Sequence, residues 1–219
     1  MARRFDRRVL SDQMLDVVRA FQRRAPCHLG GGAALSGAYL SHRLSRDVDL
    51  FCHERGEVRE LLAAAPEVST ETGAPIRVVR DAGTFVRAVI ELADCSFDID
   101  LVYEAVPDLE PPPPPVEGIT VESLADLRAS KITCILSRSE PRDLVDLLFL
   151  ERAGHRAEDD LPLALRKDGG IDPGILAWLL GQFPIEPLPD MIEPLTSDQL
   201  RAFRDDLRER LRRLATPDD

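Results

Sequence analysis

The chain is poor in lysine, in aromatic residues and in long apolar runs, and each shortage narrows the reading. Lys131 and Lys167 are the two lysines among 28 basic residues. That skew toward arginine argues nothing by itself, but it makes each lysine worth following. Aromatic residues are 5% of the chain. No apolar run approaches the roughly 18 residues of a membrane helix, so no membrane partner is expected. The opening MARRFDRRVL carries basic residues without a following apolar stretch, so no secretory signal and a cytoplasmic location are expected. The four cysteines, at 27, 52, 95 and 134, lack C-x-x-C spacing, which removes the usual zinc-ribbon and thiol-redox patterns. Cys27-His28 and Cys52-His53 are adjacent pairs. Neighbours on a strand point to opposite faces, so neither pair is expected to converge on one ion, and reduced, buried thiols are the reading.

Positive charge is also short. A net charge of −11 excludes holding nucleic acid by bulk electrostatics. The charge is uneven, however. Residues 1–24 hold seven Arg against three Asp, whereas 88–127 hold ten acids and no base. Any RNA partner would have to meet the arginine patch. The acidic stretch is either a solvated surface or a place where divalent cations gather.

With 219 residues, the chain can bury a sizeable core. Apolar spacing from Asp12 to Arg23 predicts an amphipathic helix capped by Ser11 or Asp12. CHLG reads as a short strand ending in glycine, AALSGAYLSHRL as a helix, DVDLFCH as a strand and 55–65 as a helix. PIRVVRD and TFVRAVIEL flank an Ala-Gly turn and predict a hairpin. CSFDIDLVYE alternates, with Phe97, Ile99 and Leu101 on one face and Asp98 and Asp100 on the other. Five prolines at 111–115 form a stiff connector. Helices are then expected over about 123–137, 141–153 and 197–214, with short ones such as GILAWLLGQF between. The only tryptophan sits in that last apolar stretch and is expected in the core. The expectation is an α/β part, 1–115, and a helical part, 116–219.

Three features carry chemistry. Gly30, Gly31 and Gly32 lie between a strand and a helix, where backbone N–H groups can cradle a phosphate. No Gly-Lys-Ser/Thr follows, so this is not a Walker loop. Asp47 and Asp49 share a strand face and could hold a divalent ion, helped by Asp98 and Asp100 on another strand. A solvated acidic edge is the alternative. Lys131 falls inside an apolar helical stripe, either snorkelling at its rim or held by a partner. On the next helix, apolar nearly all round, Asp143 and Asp146 are neighbours that need cations such as Arg142, Lys131 or Arg43. A structural salt-bridge cluster and an active-site pair are both open.

The order LGGGAAL, HRLSRDVDLF, FDIDLVYE, then ITVESLADLRASKI and SRSEPRDLVDLLFL resembles the AbiEii/AbiGii-type toxins, a branch of the DNA polymerase β-like nucleotidyltransferases. The likeness covers about residues 25–155. It implies an α+β fold, a mixed-sheet palm with flanking helices followed by a mostly helical part. It implies that Gly31 and Gly32 cradle the triphosphate of an NTP, with Ser45, Arg43 and Lys131 near the phosphates. Asp47 and Asp49, with Asp100 as third carboxylate in preference to Asp98, would hold Mg²⁺ or Mn²⁺. Asp143 and Asp146 would form the helical acidic motif that joins Lys131 at the site. The implied reaction moves a nucleotide to an acceptor hydroxyl, such as a tRNA 3′ end, in a toxin–antitoxin or phage-defence system with a cognate antitoxin. A protein or small-molecule acceptor, and a degenerate member acting as a binding module, are the competing readings. The presence of the whole acidic set favours an enzyme. Relatives often place Thr or Ser after the glycines, whereas Ala33 and Ala34 follow here, which leaves phosphate contacts to the backbone.

Overall fold

The computed structural model describes residues 4–92 and 95–216. Arg3 of the arginine patch and Asp94 of the acidic stretch lie outside them. The chain divides into two compact units, the first running through Ser123 and the second starting at Leu124.

In the first unit, five strands form one mixed sheet: β1 (His28–Gly30), β2 (Asp47–Cys52), β3 (Ile76–Asp81), β4 (Phe85–Glu91) and β5 (Ser96–Tyr103). Their order is β1-β2-β5-β4-β3. The β2–β5 pair is parallel and the other pairs are antiparallel. Alternation decides the two faces. Val48, Leu50 and Cys52 of β2, Phe97, Ile99 and Leu101 of β5, and Val86, Ala88 and Ile90 of β4 are all buried. Their strand neighbours therefore point to the other side, which carries the acids.

Helices α1 (Asp12–Gln22) and α3 (Arg55–Thr72) pack against each other, and α3 also packs on the strands. The Ser11 hydroxyl caps α1 by accepting the Met14 N–H. Leu15, Val17, Val18 and Phe21 are then buried, each fully buried large side chain contributing about 1.5–3 kcal/mol. Sequence spacing ends α3 near residue 65, yet the helix runs through Pro66 to Thr72. Ala65 and Val68 continue the buried stripe of Val58 and Leu61, and Gly73 at φ 66° ends it. Packing outweighs the one hydrogen bond that proline forfeits. Helix α2 starts at Gly31 and widens from a regular turn (Gly31–Ala34) into π-type turns (Leu35–Leu40). It stops short of the expected Leu44, because Ser41 adopts a left-handed φ of 54°.

The division falls after Ser123 rather than after the prolines. The backbone of Leu29 donates to the Thr120 carbonyl and that of Glu122 to the Leu29 carbonyl, which ties the post-proline segment to β1. The second unit is helical, as expected: α4 (Leu124–Ser137), α5 (Pro141–Arg152), α6 (Leu161–Lys167), α7 (Pro173–Leu180) and α8 (Ser197–Ala215). Leu200, Phe203, Leu207 and Leu211 give α8 one buried stripe, and the Thr196–Gln199 capping box opens it. Trp178 corrects an expectation. It is 66% exposed, because α7 buries Leu176, Ala177 and Leu180 and turns Ile175 and Trp178 away. No helix of the described residues is long and apolar enough to cross a membrane.

Candidate active site

The site in the first unit is built by one turn. β1 ends at Gly30 and α2 begins at Gly31, whose φ of 61° is a left-handed conformation costly to any residue with a Cβ. Space is as restrictive as conformation. A Cβ on Gly31 would overlap the Asp49 carboxylate, and one on Gly30 would overlap the Glu122 carboxylate. One on Gly32 would lie 2.6 Å from an Arg43 guanidinium nitrogen and 3.2 Å from the Ser45 hydroxyl. Each glycine therefore makes room for a different charged or polar group.

The turn already receives an anion. The Gly31 N–H donates to Glu122 Oε2 at 3.4 Å, the behaviour expected of backbone N–H groups at a helix start. Arg43, 2% exposed, is fixed through its backbone by Ser36, whose hydroxyl donates to the Arg43 carbonyl at 2.5 Å and accepts its N–H at 3.2 Å. Its Nη1 donates to the Leu44 carbonyl at 2.9 Å. Ser36 lies in the π-type turns of α2, an irregularity frequent beside functional sites.

The acids align by register. Gly30 is opposite Asp49, Asp47 is beside Asp98, and Asp49 is beside Asp100. Asp47, Asp49 and Asp98 are half-buried. The Ser45 hydroxyl donates within 3.3 Å of Asp47 Oδ1 and 3.2 Å of its carbonyl oxygen. Asp100 is 4% exposed and receives both arms of Arg87 at 2.7 and 2.6 Å. That hydrogen-bonded pairing, opposed by burial and aided by the charges of Asp98 and Asp47, pushes the Arg87 guanidinium above its ordinary pKa. The donors suit a hard cation such as Mg²⁺, being carboxylate oxygens beside a phosphate-type turn. Asp47, Asp49 and Asp100 share the face without gathering to within 4.8 Å, a spacing reached among the described residues by His28, His53 and Asp108.

The structure thus brings Gly31, Gly32, Arg43, Ser45, Asp47, Asp49, Asp98 and Asp100 to one region of the first unit. Sequence reading missed Arg87 and Glu122. Arg87 was discoverable, since Val86, Ala88 and Ile90 turn inward and place it on the acid face. Glu122 was not, because its segment has no periodicity.

In the second unit, α4 and α5 bury a charged cluster. Lys131 Nζ lies 2.7 Å from Asp146 and 3.2 Å from Asp143. Arg138 grips Asp143 with two hydrogen bonds of 2.8 and 2.9 Å. Both aspartates are 0% exposed and Lys131 is 3% exposed. Burial raises the Asp143 pKa, but the Lys131 charge and the Arg138 hydrogen bonds outweigh it, and the net direction is down. The rim-snorkelling alternative for Lys131 is thereby removed. Arg138 is the cation that sequence reading omitted. Arg142 pairs with Glu140 at 2.5 Å. The side chain of Lys167 is 6% exposed, with its Nζ 3.1 Å from Asp126.

Five arginines of the patch are paired with acids, some of them from outside it. Arg7 bonds Asp12 and Glu117, Arg8 bonds Asp6, Arg19 bonds Asp16, and Arg23 and Arg24 bond Glu71. The last helix repeats this pattern, with Arg210 on Glu151 and Glu158, and Arg212 and Arg213 on Glu209.

Comparisons with known proteins agree with this architecture. The family described as "Nucleotidyl transferase AbiEii toxin, Type IV TA system" matches residues 15–218. No curated protein matches the sequence. Among solved structures, a Helicobacter pylori protein described as a nucleotidyltransferase has a TM-score of 0.59 at 20% identity, covering 93% of each chain. JHP933 from Helicobacter pylori has a TM-score of 0.58 at 20% identity, covering 94% of each chain. MenT4, the nucleotidyltransferase toxin Rv2826c of Mycobacterium tuberculosis H37Rv, has a TM-score of 0.58 at 15% identity, covering 90% of this chain and 81% of its own. At these identities the structural likenesses establish the fold.

Proposed function

The chain belongs to the AbiEii family of nucleotidyltransferase toxins, and we propose that it moves a nucleotide from an NTP to an acceptor hydroxyl using Mg²⁺ or Mn²⁺. One observation carries the reading: the Asp49 carboxylate lies against the left-handed Gly31 of the anion-binding turn. A carboxylate facing a bound phosphate is repulsive unless a divalent cation stands between them. Asp47 and Asp49 hold that cation, with Asp100 as third carboxylate. Arg87 occupies one acceptor direction on each Asp100 oxygen and leaves others for metal. When bound, the metal supplies charge neutralisation on the phosphates as pyrophosphate leaves.

The chain's own groups do the positioning. The N–H groups of Gly31 and Gly32 donate to triphosphate oxygens, Glu122 being displaced from Gly31. Ser45 orients Asp47 and can turn its hydroxyl toward a phosphate oxygen. Arg43, behind Gly32, adds positive charge. From the second unit, Lys131 is proposed as a phosphate contact, with Asp143 and Asp146 as its holders. The contribution is electrostatic and geometric rather than covalent.

For the acceptor, an RNA 3′ end such as that of tRNA is the first candidate, with a toxin role in phage defence. The family's place in a toxin–antitoxin system implies an antitoxin partner. A second reading, a protein or small-molecule hydroxyl, is favoured by the pairing of the patch arginines with neighbouring acids, which leaves less positive charge for an RNA backbone.

The test incubates the protein with Mg²⁺, each α-labelled NTP in turn, and either total RNA or cell protein, beside Asp47→Ala/Asp49→Ala. Label in tRNA-sized RNA from the unmutated protein alone supports the RNA acceptor. Label in protein or in small molecules selects the second reading. Absence of transfer to any acceptor, or equal transfer by the variant, overturns the assignment.

A further inference from the structure

The two Cys-His pairs, each unable to chelate an ion alone, cooperate across the sheet. Strands β1 and β2 run antiparallel, with His28 opposite Phe51, so the pairs meet at one end. Cys27 and Cys52 turn into the core, 5% and 1% exposed. His28 and His53 turn to the other face, their rings edge to face with centroids 5.7 Å apart. Asp108, from the segment after β5, reaches both. Its Oδ1 lies 2.9 Å from His53 Nε2 and its Oδ2 lies 3.6 Å from His28 Nδ1. One ligand atom from each of the three residues falls within 4.8 Å of the others.

We propose that His28, His53 and Asp108 form a zinc site at the far end of this face, apart from Asp47 and Asp49, stapling the post-β5 segment to the ends of β1 and β2. The convergence of three ligand atoms is accompanied by a backbone support for the His53 ring. Nδ1 lies 3.2 Å from the Glu104 carbonyl oxygen, an acceptor that requires an N–H there. With Nδ1 held there, Nε2 is the nitrogen directed at the Asp108 carboxylate, 2.9 Å away, and it is this nitrogen that a metal shared with Asp108 would take. A carbonyl holding the outer nitrogen while the inner one faces metal is the recurrent support of zinc-bound histidine. Two imidazoles and one carboxylate match the three-ligand zinc sites that keep a fourth position open. The same set is too rich in nitrogen for Mg²⁺ or Ca²⁺.

The surroundings fit entry and purpose. Side-chain exposures of 17%, 33% and 23% for His28, His53 and Asp108 leave the group reachable without being fully solvated. A cleft of about 450 Å³ lined by His53, Asp108, Glu110 and Pro111 opens beside it. His53 lies four positions beyond Asp49 along the β2 direction, about 13 Å at roughly 3.3 Å per residue. The staple therefore anchors the strands that carry the glycine turn and Asp49 without entering that site. It also holds a segment whose other ties include the Glu104 N–H to the Cys52 carbonyl at 2.8 Å.

The experiment titrates the full chain, freed of metal, with Zn²⁺, reading stoichiometry by elemental analysis after dialysis and stability by thermal melting. Expected are one zinc per chain and a melting temperature that rises with zinc concentration. His53→Gln and Asp108→Asn should each weaken zinc by more than about a hundredfold, beyond the range for losing an outer-shell partner. Both should remain folded by circular dichroism, and Asp108→Asn, on an irregular segment, carries the test if His53→Gln does not fold. Asp47→Ala/Asp49→Ala should bind zinc as the unmutated chain does, which separates this site from the nucleotide chemistry. Cobalt in place of zinc should give a d–d spectrum without a thiolate charge-transfer band. The proposal is overturned by substoichiometric zinc, by Asp108→Asn binding zinc normally, by zinc loss in Asp47→Ala/Asp49→Ala, or by a thiolate band pointing to Cys27 and Cys52.

Discussion

Two groups of aspartates stand at different depths in this chain, and the depth separates what they can do. On the sheet, Asp47, Asp49 and Asp98 are half-buried, because strand alternation that sends Val48 and Leu50 inward must send their neighbours outward. On α5, Asp143 and Asp146 are 0% exposed, inside a helix that buries almost every side. A sealed carboxylate costs several kcal/mol unless a cation is built beside it, and here Lys131 and Arg138 are built in. An open face can recruit its cation from solution. Apart from Asp100, which Arg87 compensates, the aspartates of the sheet serve recruitment where those of α5 are compensated internally.

The sharpest way to break this contrast is Lys131→Met. It leaves Asp146 buried beside a lost partner, and unfolding free energy measured in urea should fall by about 3–5 kcal/mol. Adding Asp146→Leu should restore most of that loss, since a buried pair exchanged for apolar groups is often neutral. Nucleotide transfer by the restored double variant then decides what Lys131 does. Retained activity makes the cluster structural only, whereas lost activity in a stable protein gives Lys131 a part in the chemistry.

On the sheet the opposite result is expected. Asp49→Asn should reduce NTP-dependent labelling about 10²–10³-fold, the scale of removing one electrostatic stabiliser. Its urea stability should stay within about 0.5 kcal/mol, as for surface positions. A stability loss matching that of Lys131→Met would show that the two regions are built alike.

The depth difference also governs what was legible in the sequence. Alternation in DVDLF and FDIDL places the acids and the core on opposite faces, so the palm strands and the shared acid face can be read directly. Helices α1, α4, α5 and α8 follow from spacing and caps. What sequence could not supply is pairing at long range. Arg87 joins Asp100 through the β4–β5 register, and Glu122 reaches Gly31 from a segment without periodicity. His28 and His53 were judged each within its own dipeptide, whereas the strands set them side by side. The helix expected over 55–65 runs on to Thr72 because spacing is judged locally, while the packing of Ala65 and Val68 is not. Trp178 read as core because apolar content does not say which face of a short helix meets its neighbours.

Acid sharpens the comparison on the buried side. The folded-state pKa of Asp143 lies below its ordinary carboxylate value, since Lys131 and Arg138 outweigh burial. A depressed pKa contributes stability that is fully present above the unfolded value, here 3.8, and is lost as pH falls through the folded value. Asp143→Asn should therefore be less stable than the unmutated chain near neutrality, with the gap closing as the pH is lowered below that value. Urea midpoints across the acid range give this directly. A constant gap would mean that Asp143 contributes through shape rather than charge.

Ser45→Ala makes the smallest and most discriminating cut. The hydroxyl lies within 3.3 Å of Asp47 Oδ1, and one hydrogen bond to a charged group contributes about 1.5–3 kcal/mol when buried and less when half-exposed. A loss of roughly tenfold in transfer is expected for a bond of about 1.4 kcal/mol, with stability scarcely altered. The form of the loss separates two roles. If Ser45 only orients Asp47, raising Mg²⁺ should recover activity, because the defect is a misaligned ligand. If its hydroxyl reaches a phosphate, raising NTP should recover activity instead. Recovery by neither would place its contribution in the transition state, where a group acts without changing either affinity.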